Sequence, residues 1–293
     1  QTPMVSGHDL KAADPAPETM TVRSALRDRR TRYAPPDDFD PAAPCPGVSV
    51  VIVSYNCRDL TLQAVRSVLD NCRDTQVEII VVDNSSVDDS ANAVRAAFPA
   101  VTVLERPNLG FAFGCNEGMK VARHPYLLLL NPDVEVRGAA IADCLAYMQG
   151  NQDVGLLGCR LVLPVNAVHP TIFRFVTLRQ LIWNIVLSDG VMRRSTRFGD
   201  PHYAALSRDE VQDVEVVAGC FMLVRRAVLE EVGGLDERFF LYSEESEWCF
   251  RIRAAGWRVR YFPGAEVFHL GGGSTASHPI LSAVEIAKSQ IIF

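Results

Sequence analysis

The amino-acid sequence predicts an α/β fold built around a parallel β-sheet with helices on both faces. From Val48 onward, short runs of β-branched and aliphatic residues alternate with segments whose apolar residues recur at helical spacing. Polar residues directly follow several of these runs. Alternating strands and helices favour right-handed crossovers, and parallel sheets bind ligands beyond the carboxyl ends of their strands. Functional side chains are therefore expected along one edge of the sheet.

The predicted elements follow in order along the chain. The strand runs are VSVVIV from Val48, VEIIVVD at 77–83, AVTVLER near 100–106, and YLLLLNPD at 126–133. The first predicted helix carries Leu60, Ala64, Val65, Val68 and Leu69 at helical spacing. The strand near 100–106 and the segment 111–122, which follows a glycine-containing turn, form another strand-helix unit. Beyond residue 150 the pattern is looser, with further strands predicted at 154–163 and 214–224.

The composition is that of an ordinary globular protein, with 48% hydrophobic and 22% charged residues among 293. This length is sufficient for a sizeable core. The formal net charge of −6 argues against a chain-wide attraction to nucleic acid, so no nucleic-acid partner is expected.

Cysteine usage indicates a reducing compartment. The eight cysteines are scattered and form no C-x-x-C pair, so we expect free thiols and no zinc site. No apolar stretch approaches the roughly 20 residues that span a bilayer. The start of the chain also lacks the basic and apolar regions of a signal peptide. A cytoplasmic location is the resulting expectation.

The two ends of the chain differ from its centre. Residues 1–46 are polar and proline-rich without sustained periodicity, so a poorly ordered N-terminal extension is expected. Residues 275–293 are interpreted as a C-terminal helical segment. The sequence stops in the apolar run Ile291, Ile292, Phe293, which leaves open a truncation there.

Three polar clusters follow the predicted strands. They are Ser54, Tyr55 and Asn56 after the first strand, Asp83, Asn84 and Ser85 after the second, and Asn131 and Asp133 after the fourth. Because the carboxyl ends of parallel strands share one edge, these clusters are expected to converge there.

Asp133 is a candidate metal ligand. A nucleotide diphosphate that leaves with developing negative charge requires a counter-charge, and oxygen ligands suit Mg²⁺ or Mn²⁺. The turn Asn131-Pro132-Asp133 at a strand end could hold the carboxylate in place. The competing interpretation is that Asp133 caps a following helix.

Asp83 and Tyr55 are candidates for binding a nucleobase. The Asp83 carboxylate could accept a hydrogen bond from the imide N–H of uracil or thymine, while Tyr55 packs on the face of the base. The alternative for Asp83 is structural, because aspartate followed by Asn-Ser-Ser is common at turns and helix starts.

A second acidic cluster contains Glu244, Glu245 and Glu247 at the start of a probable helix, whose apolar positions include Trp248, Ile252 and Ala255. One of these carboxylates could remove the proton from an attacking hydroxyl. Alternatively, all three stabilise the helix N-terminus through its dipole. His269 precedes three glycines that allow close approach of a ligand, and it could contact metal or diphosphate or be structural.

These segments together resemble the family-2 glycosyltransferases. VSVVIVSYN, IIVVDNSSVDDS, NLGFAFGCN and LLLLNPD look like the nucleotide-binding half of that family's GT-A fold, which is Rossmann-like. AGCFMLVRR, VGGLDERFFLYSEESEWCFRIRAAGWRVRYFP and VFHLGGGS resemble its acceptor half, most closely in the rhamnosyltransferase-like branch. The resemblance covers about 48–274.

The resemblance implies a division of labour between two continuous halves. Residues 47–150 would bind a nucleotide-diphosphate sugar, with dTDP-rhamnose as the leading candidate. Residues 151–274 would bind a glycan or lipid-linked glycan acceptor and carry the base. The implied reaction is inverting, and the implied cofactor is Mg²⁺ or Mn²⁺.

The resemblance also assigns residues. It places Tyr55 and Asp83 at the nucleoside, Asn131 and Asp133 in the metal-binding acidic motif, and Glu245 at the catalytic base, with Glu244 and Glu247 as alternatives. The full nucleotide-binding set is Ser54, Tyr55, Asn56, Asp83, Asn108, Gly110, Asn116 and Asn131, and the metal set is Asp133 and His269.

Two residues depart from the family pattern. Asn131 stands where many members have the first acid of a D-x-D motif. Glu245 stands where the family usually has aspartate, and its extra methylene moves the base by roughly 1.5 Å.

Residues 171–199 carry a local charge of +4, from five arginines and one aspartate, together with several large apolar side chains. Such a segment could lie on an anionic membrane surface or bind a lipid-linked diphosphate acceptor. A core helix with solvated arginines is the alternative. Family members often act at the inner face of the cytoplasmic membrane, so peripheral contact there is expected.

Competing functions differ in how well the sequence supports them. A nicotinamide-dependent oxidoreductase is disfavoured because the turn after the first strand reads SYNCRD and lacks G-x-G-x-x-G. A nucleotidyltransferase also uses an acidic metal site and stays open. A non-catalytic nucleotide-sugar-binding module also stays open, because Asn131 and Glu245 depart from the family pattern.

Overall fold

The computed structural model describes residues 33, 47–73, 75–163, 171–175, 208–270 and 288–289. Within these ranges the strands are β1 (Val48–Ser54), β2 (Val77–Asp83), β3 (Thr102–Glu105), β4 (Tyr126–Leu130), β5 (Val134–Val136), β6 (Val154–Val162), β7 (Ile172–Phe173), β8 (Gln212–Asp213), β9 (Val216–Val217), β10 (Phe221–Arg225) and β11 (Arg258–His269). The helices are α1 (Arg58–Asn71), α2 (Ser90–Ala97), α3 (Phe111–Val121), α4 (Ala140–Gly150), α5 (Arg226–Val232) and α6 (Glu244–Ala254).

The first half of the main sheet is parallel, as the alternating pattern predicted. Strands β3, β2, β1 and β4 lie side by side in that order. Every residue of β1 is buried, which explains its continuous run of β-branched side chains. Ser54 pairs with Asp83 at the carboxyl ends of β1 and β2, so these ends meet at one edge.

The second half of the sheet is mixed, and the prediction of a parallel sheet is wrong there. Strand β10 runs antiparallel to both β4 and β6, while β11 is parallel to β6 and antiparallel to β5. The predicted strand at 214–224 is two strands, β9 and β10, separated by a turn at Gly219 and Cys220. This turn brings the chain to the carboxyl edge of β4, so β10 must run away from that edge.

Helices cover both faces of the sheet, as predicted. On β1, Val50 and Ile52 face a core that contains Val65 of α1 and Ile141 of α4. Val51 faces the opposite core, where α3, α5 and α6 pack. Two predicted apolar contacts are wrong: Leu69 is 43% exposed, and Ala255 lies just after α6 and is exposed.

Within residues 1–46 the structure describes Tyr33. Its side chain is buried in the core beside α3 and α5. Its carbonyl oxygen accepts a hydrogen bond of 2.9 Å from the buried guanidinium of Arg226. The same guanidinium also donates to the carbonyl oxygens of Ala122 and His124, so Arg226 ties three chain segments together.

The cysteines that the structure describes are free thiols, as predicted. Seven cysteines lie in the described ranges, all are free thiols, and six of them are buried. In the same ranges, we find no helix with the length and apolar character needed to cross a bilayer.

Candidate active site

Asp83 lies at the carboxyl end of β2 with one carboxylate oxygen unused. Its side chain is buried, and its Oδ2 accepts a hydrogen bond of 2.9 Å from the backbone N–H of Ser86. Its Oδ1 is buried and has no hydrogen-bond partner among the described residues. Because α2 begins only at Ser90, Asp83 does not start a helix. A buried unused acceptor fits a ligand N–H donor.

Tyr55, Asn56 and Ser54 follow β1 but differ in their availability. Tyr55 is 38% exposed at this edge, where its ring can contact a ligand. The side-chain oxygen of Asn56 accepts a hydrogen bond of 2.8 Å from the N–H of Val87, so this side chain holds the neighbouring loop. Ser54 is buried and its hydroxyl bonds Thr61 at 2.8 Å. Ser54 is therefore turned into the core, while the exposed Asn56 stays a candidate for nucleotide contact through its amide nitrogen.

The segment 108–116 also differs from its predicted role. The amide of Asn116 is buried; it donates 2.8 Å bonds to the carbonyl oxygen of Leu235 and to Glu237, and accepts a 2.9 Å bond from the N–H of Leu235. These bonds join α3 to the loop after α5, so we correct Asn116 from nucleotide binding to a structural tie. Asn108 accepts a 3.3 Å bond from the N–H of Gly110, which stabilises the turn.

Gly110 permits a close contact between the two halves of the chain. Its φ is +109°, and a Cβ built on it would lie 2.5 Å from the carbonyl oxygen of Phe240. The next residue, Phe111, donates its backbone N–H to the same oxygen at 2.8 Å. A side chain at position 110 would therefore push away the loop that precedes α6.

Asp133 is fixed between β4 and β5 beside His269. Its backbone carbonyl oxygen accepts a 2.8 Å bond from the N–H of Leu270, and its Oδ2 lies 3.2 Å from Nε2 of His269. His269 ends the 12-residue strand β11, which is longer than the short strand predicted before it. Because β5 follows Asp133 directly, the alternative that Asp133 caps a helix is wrong.

Oxygen atoms beside this strand end suit a divalent cation. Oδ1 of Asp133 and Oδ1 of Asn131 are both buried without a hydrogen-bond partner among the described residues. No group of three or more His, Cys, Asp and Glu side chains in the described ranges is arranged to hold a metal ion. A cation here would take several ligands from a bound diphosphate and water, which is the usual coordination of Mg²⁺ in phosphate sites. The residues therefore fit a cation shared with a substrate.

Glu247 is not available as a base. Its carboxylate forms a paired contact with Arg251 one helical turn later, at 2.5 and 2.6 Å. Arg251 also donates to the carbonyl oxygens of Val232 and Gly234. The pair anchors α6 to the end of α5, so the structure removes Glu247 from the catalytic candidates.

Glu244 and Glu245 begin α6 in a low-polarity environment. Glu244 is buried, its Oε2 has no partner among the described residues, and its pKa is raised well above the usual glutamate range by burial and by the charge of Glu245. Burial also raises the pKa of the partly buried Glu245. Both shifts favour the protonated form, and most strongly at Glu244, the more buried of the two residues.

The turn at Gly219 and Cys220 connects the metal-side residues with the acidic pair. The carbonyl oxygen of Cys220 accepts a 3.0 Å bond from the N–H of Asn131. A Cβ built on Gly219 would lie 3.7 Å from the Cβ of Glu245. The pKa of the Cys220 thiol is raised by burial and further by the charges of Asp133 and Glu245. The turn thus lies close to both the Asn131-Pro132-Asp133 segment and the side chain of Glu245.

Sequence reasoning missed this turn and the role of Asn84. Asn84 donates to the carbonyl oxygen of Gly110 at 3.2 Å, while its buried Oδ1 has no partner among the described residues. A glycine inside an apolar run, as at Gly219, signals a bend or a close backbone approach. That signal was present in the predicted strand at 214–224.

The buried carboxyl of Glu244 predicts a pH-dependent stability. Since folding raises its pKa, the folded state favours the protonated carboxyl, and stability falls as the pH rises above the unfolded pKa. Glu244→Gln should remove this loss. The unfolding free energy of the variant minus that of wild type should therefore increase by up to about 1.4 kcal/mol for each unit by which the pH is raised. Urea unfolding at about pH 5 and about pH 7 measures the difference.

Glu210→Gln, at an exposed glutamate, is the matched control and should give no such gain. A difference between Glu244→Gln and wild type that is the same at both pH values would contradict a buried, protonated Glu244.

Comparisons with known proteins identify the family of the chain. Residues 49–233 match the family described as Glycosyl transferase family 2. The chain is 28% identical over 233 residues to an N-acetylglucosaminyl-diphospho-decaprenol L-rhamnosyltransferase of Mycobacterium tuberculosis, a match that covers 74% of each chain. It is 25% identical over 232 residues to rhamnosyltransferase WbbL of Escherichia coli K12, covering 76% of this chain and 83% of that protein.

A solved structure shows the same fold. The mannosyltransferase PcManGT from Pyrobaculum calidifontis, in complex with GDP-Man and Mn²⁺, matches with a TM-score of 0.58 and 17% identity. The match covers 90% of this chain and 69% of that one. The predicted GT-A fold is thereby confirmed.

Proposed function

Because the chain belongs to glycosyl transferase family 2, we propose that it is an inverting, metal-dependent enzyme in which Glu245 is the base. The observation that carries this proposal is the turn at Gly219 and Cys220, which is hydrogen-bonded to Asn131 of the Asn131-Pro132-Asp133 segment and lies beside the side chain of Glu245. An inverting transfer needs a group that holds the leaving diphosphate and a base on the opposite face of the sugar. This arrangement offers both.

The donor we favour is dTDP-rhamnose. Two relatives are named rhamnosyltransferases, one from Mycobacterium tuberculosis and one from Escherichia coli. The buried Oδ1 of Asp83 can accept the imide N–H that thymine and uracil share, and the exposed ring of Tyr55 can stack on the base. These contacts support a pyrimidine nucleotide, and the relatives support the sugar.

Asp133 would hold the cation, with Asn131 and His269 as neighbouring donors. A bound Mg²⁺ or Mn²⁺ would supply positive charge that stabilises the leaving diphosphate. Asp133 is suited to this task because its carboxylate is held in place and keeps one oxygen unused among the described residues. Asn131 replaces an acid that many members have, so Asp133 would be the sole carboxylate of the motif.

Glu245 would act on the acceptor. In one step, its carboxylate takes the proton of the acceptor hydroxyl, and the hydroxyl oxygen bonds to the anomeric carbon. The bond from that carbon to the diphosphate oxygen breaks, and the nucleoside diphosphate leaves with the electron pair. The raised pKa makes Glu245 a stronger base than an exposed glutamate. Neutral Glu244 would leave the negative charge on Glu245.

The acceptor we propose is a hydroxyl of a glycan or lipid-linked glycan, reached from the cytoplasm at the inner face of the cytoplasmic membrane. The predicted contact segment, 171–199, lies mostly outside the described residues. Its described part, 171–175, contains β7, where Ile172 is buried and pairs with Val217. Ile172 is therefore unavailable for membrane contact, which we propose for the segment as a whole.

Liposome flotation tests the membrane contact. Because the segment is basic, the protein should float with vesicles that contain anionic lipid and less with neutral vesicles. Reversing the charge of Arg193, Arg194 and Arg197 to glutamate should weaken flotation, while transfer to a water-soluble acceptor should be unchanged. Absence of flotation with either vesicle would remove this part of the proposal.

A donor screen with product analysis tests the function itself. The protein is incubated with Mg²⁺ or Mn²⁺, with dTDP-rhamnose or UDP-sugars, and with candidate acceptors. We expect metal-dependent release of nucleoside diphosphate together with a glycosylated acceptor. A product that carries the nucleotide would indicate a nucleotidyltransferase. Donor binding without turnover on any acceptor would indicate a non-catalytic binding module.

A further inference from the structure

The loop before α6, residues 239–243, has a strained backbone. Tyr242 and Ser243 both have left-handed φ values, +70° and +69°. Residues with side chains adopt this region at a cost, so such a loop persists only when its surroundings hold it in place. Glu244 and Glu245 follow directly, and the position of both carboxyl groups depends on this loop.

Two successive carbonyl oxygens of the loop are held by distant parts of the chain. The backbone N–H of Phe111 donates to the carbonyl oxygen of Phe240 at 2.8 Å. The hydroxyl of Ser289 donates to the carbonyl oxygen of Leu241 at 3.1 Å. Ser289 is 1% exposed, and its bond to the partly exposed Leu241 is partly buried. One tie comes from the nucleotide-binding half and the other from near the end of the sequence.

We propose that Ser289 is a positioning residue for the catalytic base, acting through the carbonyl group of Leu241. This inference rests on the proposed role of Glu245. The Leu241 carbonyl lies immediately before the two left-handed residues, where a lost bond would let the strained backbone relax. Relaxation would turn the start of α6 and move the Glu245 carboxylate.

The expected effect is on the chemical step and not on donor binding. Asp83 and Asp133 lie at the ends of β2 and β4 and have no contact with Ser289 in the described bonds. Displacement of a reacting group by about 1 Å can cost about 100-fold in rate. For Ser289→Ala we therefore expect kcat to fall about tenfold, with an unchanged donor KM.

The test compares three variants with wild type. Ser289→Ala removes the hydroxyl, and Ser289→Thr keeps it. Ser49→Ala is the matched control. Ser49 is also buried, and its hydroxyl donates a hydrogen bond of 2.7 Å to Glu78. It lies at the start of β1, away from the candidate site at the carboxyl end of that strand. We measure kcat and donor KM for each, together with hydrogen-deuterium exchange of a peptide that covers 239–247.

Support for the inference is a lower kcat in Ser289→Ala, recovery in Ser289→Thr, and faster exchange across 239–247 in Ser289→Ala alone. A kcat for Ser289→Ala within about twofold of wild type, or an equal loss in Ser49→Ala, would overturn it. Glu245→Gln is assayed in parallel. If Glu245→Gln keeps wild-type kcat, the proposed function fails, and the exchange result still decides whether Ser289 holds the loop.

Discussion

Replacing Glu245 with glutamine should lower kcat by about 10²- to 10⁴-fold, the usual contribution of a positioned general base. Glutamine keeps the shape of the side chain but cannot take the acceptor proton. Steady-state kinetics on the best donor and acceptor measure the loss, and the donor KM should change little because Asp83 and Asp133 are untouched.

Glu247→Gln is the matched control on the same helix. Glu247 is paired with Arg251. Glutamine keeps a side-chain oxygen that can accept a hydrogen bond from this guanidinium, so α6 should stay in place and kcat should be nearly unchanged. The wild-type pH profile gives a second check. The base must be ionised and burial raises its pKa, so kcat/KM should fall with decreasing pH at values above the usual 4.5 of glutamate. Wild-type turnover in Glu245→Gln with loss in Glu247→Gln would reverse the assignment.

Replacing Asp133 with alanine should reduce turnover by at least about 100-fold, because the leaving diphosphate would lose the carboxylate that holds its counter-charge. Mn²⁺ binding in the presence of nucleoside diphosphate should weaken in parallel, which calorimetric titration measures. Asp133→Asn keeps the size of the side chain and separates the loss of charge from the loss of packing.

The control for this variant is Asp143→Asn, at an exposed position in the first turn of α4. It should retain wild-type turnover and metal binding. If Asp133→Ala kept both, the metal site proposed at the end of β4 would be wrong.

The sequence was sufficient to predict the parallel half of the fold and to place the candidate residues Asp83 and Asp133 after buried strands. Local patterns carry that information: β1 is a continuous buried run, and a polar residue after a buried strand marks a sheet edge. Asp83 and Asp133 were located by this rule. Glu244 and Glu245 were located by helical spacing, which places the start of α6 correctly.

The remaining roles depend on contacts that local patterns do not show. Asn116 is committed to Leu235, 119 residues later, and no spacing rule connects them. The direction of β10 depends on a turn inside an apolar run. Glu247 is different, because Arg251 stands four residues later on the same helix, a spacing that favours an ion pair. That pairing was readable from the sequence and argued against Glu247 as the base.

The two halves of the chain contact each other at the loop 239–243, which precedes Glu244 and Glu245. Gly110 ends the turn before α3. It lacks a side chain where the backbone of Phe240, in the loop before α6, packs against it. A residue predicted to bind the nucleotide therefore also sets the position of the catalytic loop. If the donor binds near α3 as proposed, this contact would link donor binding to the position of Glu245.

The configuration of the product tests the central claim most directly. The claim is that Glu245 activates an acceptor hydroxyl that displaces the nucleoside diphosphate in a single step. Proton NMR of the isolated product, made with the best donor from the screen, reports the configuration at the transferred anomeric carbon. The proposed mechanism predicts a single product with the configuration opposite to that of the donor. A product with the donor's configuration would contradict it.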